Sequence, residues 1–412
     1  MVTSIKNRER SARDSTVQQA KVATSIAFVL NGFTFATWAS RIPDIRTALD
    51  LTPGDLGLLL LFGAAGSLVG LPLTGWVASR IGTRATVLLG GTLSLTGLAV
   101  VGLTAGLAHS YTLTAMTLFV TMAGIGQWDV AMNLEGSAVE HHLRRNIMPR
   151  FHAGFSLGAV LAALLGAGLV AAHVPFVAHF VVMAALIAAA LAVATRAFLP
   201  RSWETEPGLD PDAAAGESEQ STLSARGAWL EPRTLLIGLV MLVAAFTEGA
   251  ANDWISVAFV DGYDLPAWAG VLGFATFLSF MTLGRLVGAS MLDRWGRIPV
   301  LRAMLIAAGI GSLGVVFGTT ATAFIGAAIW GFGVALGFPV GMSAAADDPR
   351  HAAVRVSVVS TIAYGAFLIG PPALGFLGDH WGVLRSLSVV SAMIILALLA
   401  LPAMRQPEGT RA

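Results

Sequence analysis

Long stretches free of Lys, Arg, Asp and Glu alternate with short charged breaks along this chain. A hydrocarbon layer about 30 Å thick is crossed by roughly 20 helical residues, so each such stretch predicts a membrane-spanning helix. The first six are 22–40, 56–79, 85–108, 110–128, 153–172 and 174–195, the last interrupted only by His179. Residues 200–232 are then acidic and rich in Ser, Gly and Pro, a composition that cannot be buried in lipid and predicts a flexible connector. Beyond it, 234–260 carries Glu248 and Asp253, and 265–284 follows. The uncharged run between Arg302 and Asp347 would make about 66 Å of single helix, so it must fold back near 318–323 and supply two spans. With 356–378 and 386–404 the expected architecture is an all-α membrane protein of twelve transmembrane helices. Its parts are a tail (1–21), a six-helix bundle (22–199), the connector (200–232), a second six-helix bundle (233–404) and a short tail (405–412).

Composition agrees: 55% of the 412 residues are hydrophobic and 12% are charged, and a water-soluble fold of that make-up would aggregate. Lys and Arg (25) nearly balance Asp and Glu (24), so charge gives no reason to expect a nucleic-acid partner. The absence of Cys removes disulfides, thiolate metal sites and cysteine nucleophiles. Where the charges sit says more. An even number of spans puts both termini on one side, and with that side cytoplasmic the Lys and Arg residues fall inside. Only Arg41, Arg46 and Arg385 fall outside, and Arg285 lies within a helix. This predicts a multi-pass protein of the cytoplasmic membrane. The basic start (Lys6, Arg8, Arg10, Arg13) and first apolar run superficially resemble a cleaved signal sequence, but the many spans that follow favour an uncleaved first helix.

The chain also repeats itself. Pro53, Gly57, Arg80 and Gly82 recur as Pro266, Gly270, Arg294 and Gly296 at offsets of 213 or 214 residues, and Trp38 and Trp254 follow at 216. A nearly constant offset over a loop, a helix and the next turn indicates duplicated six-helix units, as in many secondary transporters. The shared turn reads Gly75, Ser79, Arg80, Gly82, Arg84 in the first half and Ala289, Asp293, Arg294, Gly296, Arg297 in the second. Both resemble the loop motif of the major facilitator superfamily. The resemblance implies a Gly that allows close helix packing and an Asp/Arg network that switches conformation, with Ser79 and Ala289 as departures from the pattern.

Within that superfamily the chain is most similar to the fucose:proton symporter branch. The similarity rests on Ile42, Pro43, Leu51 and Thr52; Asp129 and Asn133; Gly284, Arg285 and Gly288; Phe338 and Pro339; and Pro372, Gly375, Phe376 and Asp379. It implies that Asp129 is the proton-linked acid of the fourth helix and Asn133 its polar neighbour. The fucose transporter's acidic residue in the first helix has no counterpart here, where Ala39 or Ser40 stands. The run from Glu248 through Asn252 and Asp253 to Trp254 resembles a less characterised group of bacterial facilitators.

An ionised carboxylate in mid-membrane costs about 2.5–3.5 kcal/mol on insertion scales, so it needs a partner, a cavity or a proton. Asp129, Glu135, Glu248 and Asp253 are therefore candidates for proton coupling. Asp129 and Asn133 share a helix face, as do Glu248 and Asn252, whereas Glu135 points about 120° away and suits structure or a gate. The competing reading of Asp129 and Glu248 is a buried ion pair, most plausibly with Arg285, and Asp253 suits a gate or a solvated position equally well. Asn31, Trp38, Gln127, Asn133, Asn252, Trp254 and Tyr364 are candidate solute contacts, although Trp suits an interfacial belt equally well. His152 reads as a loop-packing or titrating group. No Walker loop, H-E-x-x-H or G-x-S-x-G pattern occurs. The expectation is a monomeric proton-coupled transporter of a small solute, with no cofactor. Its rivals are an exporter of drugs or secondary metabolites, a transporter-like receptor, and an intramembrane enzyme using Asp129 or Glu248. Gly158, Gly166 and Gly168 without the exporters' fifth-helix Gly-Pro pair, which falls instead at Gly370 and Pro371, tilt the reading toward symport of a small polar solute.

Overall fold

The computed structural model describes residues 2–145, 147–204, 225–348 and 350–406; the middle of the expected connector and the last six residues lie outside these. Twelve long helices organise the chain: α1 (Val2–Ala39), α2 (Pro53–Ile81), α3 (Thr83–Gly106), α4 (Tyr111–Leu143), α5 (Met148–Ala171), α6 (Phe176–Ala194), α7 (Pro232–Tyr263), α8 (Ala267–Trp295), α9 (Arg297–Phe317), α10 (Thr320–Val334), α11 (Ala352–Trp381) and α12 (Ser388–Ala400). Helices satisfy their own backbone N–H and C=O groups, which lipid cannot do. Eleven are long and apolar enough to cross a membrane, some together with a short helix that follows. The remaining helix, α4, has ample length at 33 residues but carries Gln127, Asp129, Asn133, Glu135 and Glu140. Leu186, Val193, Ile310, Ile395 and Leu399 are exposed on α6, α9 and α12, a liability in water that becomes an asset in lipid.

The chain packs as two units. The first comprises Met1–Trp38, Phe62–Ala162 and Val174–Ala214. Its core joins Phe28, Val87, Leu95, Trp128, Met132, Phe151, Ile187 and Leu191. Here α1 and α5 touch backbone to backbone: a Cβ at Gly158 would lie 2.0 Å from the Val29 carbonyl oxygen. The residues expected as a polar tail are the first turns of α1. They are helical because Val17 and Ala20 join the core beside Phe198 and Leu199, and the Arg13 guanidinium lies 4.8 Å from the centre of the Trp203 ring.

The second unit comprises Ala39–Leu61, Ala163–His173 and Ala215–Ala412. It thus unites α7–α12 with the short helix Ile42–Ala48, the first turns of α2 and the last turns of α5. The expected fold-back occurs where α9 ends at Phe317 and α10 starts at Thr320, fixed by a capping box between Thr319 and Thr322. The tenth span, expected as one helix, stops at Val334 and resumes at Gly337–Ala345. Pro339 has no N–H for the carbonyl of Ala335, which removes the bond that would have carried the helix through.

Gly82 and Gly296, the repeated turn glycines, have the same conformation (φ 82°, ψ 162° and φ 78°, ψ 167°), a region open essentially to glycine. Gly382 makes a third such turn after Asp379, His380 and Trp381 (φ 80°, ψ 148°). The backbone contact in the first unit yields a prediction. Gly158→Leu should cost about 3 kcal/mol or more through overpacking and sharply reduce monodisperse protein, whereas Gly168→Leu, whose Cβ meets nothing within 4 Å, should elute and melt like the parent in detergent.

Candidate coupling and solute site

Each repeat contributes polar side chains to its own unit. In the first, Asp129 is half-buried on α4, and no hydrogen bond or ion pair among the described residues reaches its carboxylate. Asn133, one turn on, donates from Nδ2 to the Asp129 backbone oxygen at 2.9 Å, as the four-residue spacing requires. Asn31 is fully buried on α1; its Nδ2 donates to the Ile125 carbonyl at 3.4 Å, while its Oδ1 receives no bond. Gln127 is buried as well. Trp38 is packed against Phe180, their ring centres 6.5 Å apart, and is 3% exposed, so its ring face fills core. His152 lies edge-on to Phe28 at 5.3 Å, in keeping with a packing role.

Glu135 has a different environment from Asp129. It is fully buried; its Oε2 accepts from Thr83 Oγ1 and its Oε1 from the Leu199 backbone N–H, both at 2.7 Å. These bonds tie the start of α3 and the segment after α6 to α4. Nearby, Arg201 donates to the Arg80 carbonyl at 2.6 Å, and the exposed Arg80 side chain lies 4.4 Å over the Trp76 ring. Arg84 is exposed, and a Cβ at Gly75 would meet nothing within 4 Å, so the close packing implied by the loop motif is not realised at that position.

In the second unit the Arg285 guanidinium donates to both Glu248 oxygens, at 3.0 and 3.2 Å. The ion pair weighed from sequence therefore exists. Asn252, one turn along α7, is half-buried with its Oδ1 unbonded, and Trp254 is fully buried with its indole N–H lacking an acceptor. Asp253 is half-buried, with no partner among the described residues. Tyr364 stands on α11, its ring centre 6.4 Å from that of Phe367.

At the end of this unit formed by the starts of α7, α9 and α11, the second loop motif is wired into a network that the sequence reading did not identify. Arg297 pairs with Asp347 through two bonds of 2.9 and 3.0 Å and also donates to the Met404 carbonyl. Arg233 adds a 2.8 Å bond to Asp347. Asp293 is exposed without a partner among the described residues, Arg294 lies over the Trp295 ring at 5.3 Å, and Gly296 supplies the turn. Glu231 takes two bonds from Arg355 at 2.7 and 2.8 Å. Burial would raise the Glu231 carboxyl, but hydrogen bonds from Arg355 and Thr234 and the charges of Arg355 and Arg233 outweigh it and hold the group below its ordinary range. A hydrogen bond from His351 does the same, as the largest effect, for Asp348. Charges at span ends signal such a network, but only the fold reveals which ones meet.

The opposite end explains two exceptions to the charge asymmetry. Arg41 pairs with Asp44 at 2.8 Å and Arg46 pairs with Asp261. Asp379 accepts from the Gly54 N–H, at the start of α2, at 3.0 Å. Arg385 is exposed.

A bundle of membrane-crossing helices that holds unneutralised acids and unbonded amides beside a repeated charged turn defines a multi-pass membrane transporter. A sequence profile of the Major Facilitator Superfamily matches residues 24–288 and 269–411, and the chain belongs to that superfamily. It is a transporter and not an enzyme. The uncharacterised transporter y4wD of Sinorhizobium fredii is 31% identical over 92% of this chain and 96% of its own length. An uncharacterised MFS-type transporter of Yersinia pestis is also 31% identical, over 93% and 94%. The membrane protein MosC of Rhizobium meliloti is 26% identical over 92% and 88%. Among solved structures, a bacterial homologue of the human lysosomal transporter Spinster in an inward-facing, unoccupied conformation has TM-score 0.74 at 15% identity, over 97% of this chain and 98% of that one. The nucleoside transporter NupG has TM-score 0.69 at 14%, over 94% and 98%. The xylose transporter XylE of E. coli has TM-score 0.69 at 13%, over 93% and 97%. These likenesses show the fold.

Two predictions follow from the bonded acids. Glu135→Ala strands a buried N–H and a hydroxyl and should destabilise the protein by about 3 kcal/mol, read as a lower melting temperature, with Glu135→Gln intermediate because it keeps one acceptor. Because the Glu231 value is lower in the folded than in the unfolded chain, its stabilisation is complete above the ordinary carboxylate range and disappears as pH falls through and below it. Glu231→Gln should therefore melt below the parent at neutral pH and converge with it in acid; a gap independent of pH would refute this.

Proposed function

We propose that this protein moves a small polar organic solute across the cytoplasmic membrane by alternating access, driven by protons. The observation that carries the reading is the Asp129 carboxylate, half-buried on the 33-residue helix α4 with no counter-charge among the described residues and with Asn133 on its face. Such a group must take up a proton or a solute cation or face water, and a proton exchanged as access changes sides is a driving force. Glu248 with its partner Arg285 serves as the second coupling acid, since an ion pair that exchanges partners can report solute or proton arrival. Asn31, Gln127, Asn133, Asn252 and Tyr364 supply hydrogen bonds to solute, and Trp38 and Trp254 shape the apolar surroundings. Two six-helix repeats, 22–199 and 233–404, rock about the connector 200–232, with both termini cytoplasmic and the chain acting as a monomer. The turn residues Arg80, Gly82, Arg84, Arg285, Asp293, Arg294, Gly296 and Arg297 bias the switch. Similarity to the fucose:proton symporter branch, and structural likeness to a nucleoside and a xylose transporter, support a hydroxylated solute.

The test is uptake into proteoliposomes with an imposed pH gradient, across a panel of sugars, nucleosides and lipophilic cations. A sugar or nucleoside should accumulate with the gradient, and Asp129→Asn and Glu248→Gln should each lower that accumulation at least about tenfold, the equivalent of 1.4 kcal/mol. Transport indifferent to the gradient, or unchanged in both variants, would end the coupling claim; movement of lipophilic cations against the gradient would instead mark a proton-driven exporter.

A further inference from the structure

Asp253 lines a small pocket between α7 and α11 in the second unit. Phe246, Gly249, Ala250 and Trp254 complete the α7 side, and Ala366, Phe367, Gly370, Pro371 and Leu374 form the other. The helices interlock there: a Cβ at Gly249 would contact the Phe367 ring at 3.5 Å, and one at Gly370 would contact the Phe246 ring at 3.3 Å. What remains beside Asp253 has room for about one water molecule.

Two features of this pocket call for a small cation. The Asp253 carboxylate can only accept hydrogen bonds, and no donor among the described residues reaches it. Pro371 has no N–H, so the Phe367 carbonyl one turn earlier loses its helical donor, and both residues line the pocket. Acceptors from a carboxylate and from helix-released carbonyls, in a space of water size, are the donor set of proton and sodium sites in transporters with interrupted helices.

We propose that Asp253 and the carbonyl released by Pro371 bind one monovalent cation, a proton or a sodium ion. No other residue of the pocket titrates. Charged groups on the elements packed against α7 are engaged elsewhere or exposed: Arg285 of α8 with Glu248, Arg46 of the short helix with Asp261, Asp379 of α11 with the Gly54 N–H, and Arg385 on the surface. Tyr364 of α11 is the remaining titratable neighbour on that helix face. The pocket has a mechanical connection, because Pro371, which lines it and frees the Phe367 carbonyl, has its own carbonyl in close contact with α2. A Cβ at Gly57 would lie 2.6 Å from it, so loading Asp253 acts on the helix that packs against the start of α2. The site bears on the transport reading as a coupling-ion site outside Asp129 and Glu248.

The experiment is thermal melting of the purified full-length protein in detergent, sodium chloride against choline chloride at constant ionic strength, repeated across pH. If sodium is the ligand, saturating sodium should raise the melting temperature by about 2 °C or more. The shift should vanish in Asp253→Asn and shrink in Pro371→Ala, which returns an N–H to the Phe367 carbonyl. If the proton is the ligand, sodium has no effect, but the pH dependence of melting should differ between the parent and Asp253→Asn. Should Asp253→Asn not fold, Asp253→Glu, which keeps the charge and overfills the pocket, replaces it in the sodium comparison, and Asp253→Ser, which removes the carboxylate, replaces it in the pH comparison. Melting that neither sodium nor pH separates between the parent and the Asp253 variant overturns the proposal. Melting requires no solute or gradient, so a failure here leaves coupling at Asp129 intact, and a failure of gradient-driven transport leaves this site intact.

Discussion

A carboxylate carried into hydrocarbon must find a donor, a counter-charge or a proton, and this requirement sorts the acids of the spans. Glu135 meets it with a hydroxyl and a backbone N–H, and Glu248 with the Arg285 guanidinium. Asp129 and Asp253 meet it with no protein group among those described. Glu135 ties three segments of the first unit together, and Glu248 joins α7 to α8 through an ion pair that the proposed cycle would exchange. The second two are left with exchangeable partners, and an exchangeable partner is what a transport cycle consumes. The same requirement accounts for Arg41 and Arg46, which lie on the charge-poor side of the chain but have Asp44 and Asp261 beside them.

Helix packing follows from a second property of lipid. Its tails are as apolar as Leu, so helices gain little by burying apolar side chains against each other and gain instead by close backbone approach. Glycines in the helices serve that end, as where Gly158 meets Val29. Close approach also explains how α4 can carry polar residues along its middle. Gly66 and Gly70 bring α2 against the Phe119 and Ala123 carbonyls, and Gly90 brings α3 against the Trp128 N–H. A helix so enclosed spends little surface on lipid and can carry Gln127, Asp129 and Asn133 there.

The positions of the spans, the fold-back after Phe317 and the repeated turn at Gly82 and Gly296 were legible because each depends on local composition or on spacing within one helix. So was the bond from Asn133 to Asp129. The Glu248–Arg285 pair could be posed only as an alternative, since 37 residues separate the partners. The helical period set Glu135 on a different face from Asp129, six positions earlier, and pointed to structure or a gate, but its partners lie 52 and 64 residues away and cannot be named from local sequence. The helical start of α1 was missed for a related reason. Its basic residues read as a solvated tail, while Val17 and Ala20 are held by Phe198 and Leu199 from the far end of the first repeat.

The repeat survives more clearly in its restraints than in its residues. In the first unit Glu135 joins the first residue of α3, Thr83, to the strand of chain after α6, at Leu199. In the second unit Asp347 holds Arg297, the first residue of α9, and Arg297 also reaches the chain after α12 at Met404. Thr83 and Arg297 are 214 residues apart, and Glu135 and Asp347 are 212 apart, close to the offset of the turn motif itself. One clasp is thus built from a fully buried carboxylate with neutral donors, the other from a guanidinium and a carboxylate that are 12% and 7% exposed. The loop motif lacks its Asp in the first half, at Ser79, and there the clasp is the neutral one. Duplication preserved where the third helix of each repeat must be anchored, while divergence changed the chemistry of the anchor.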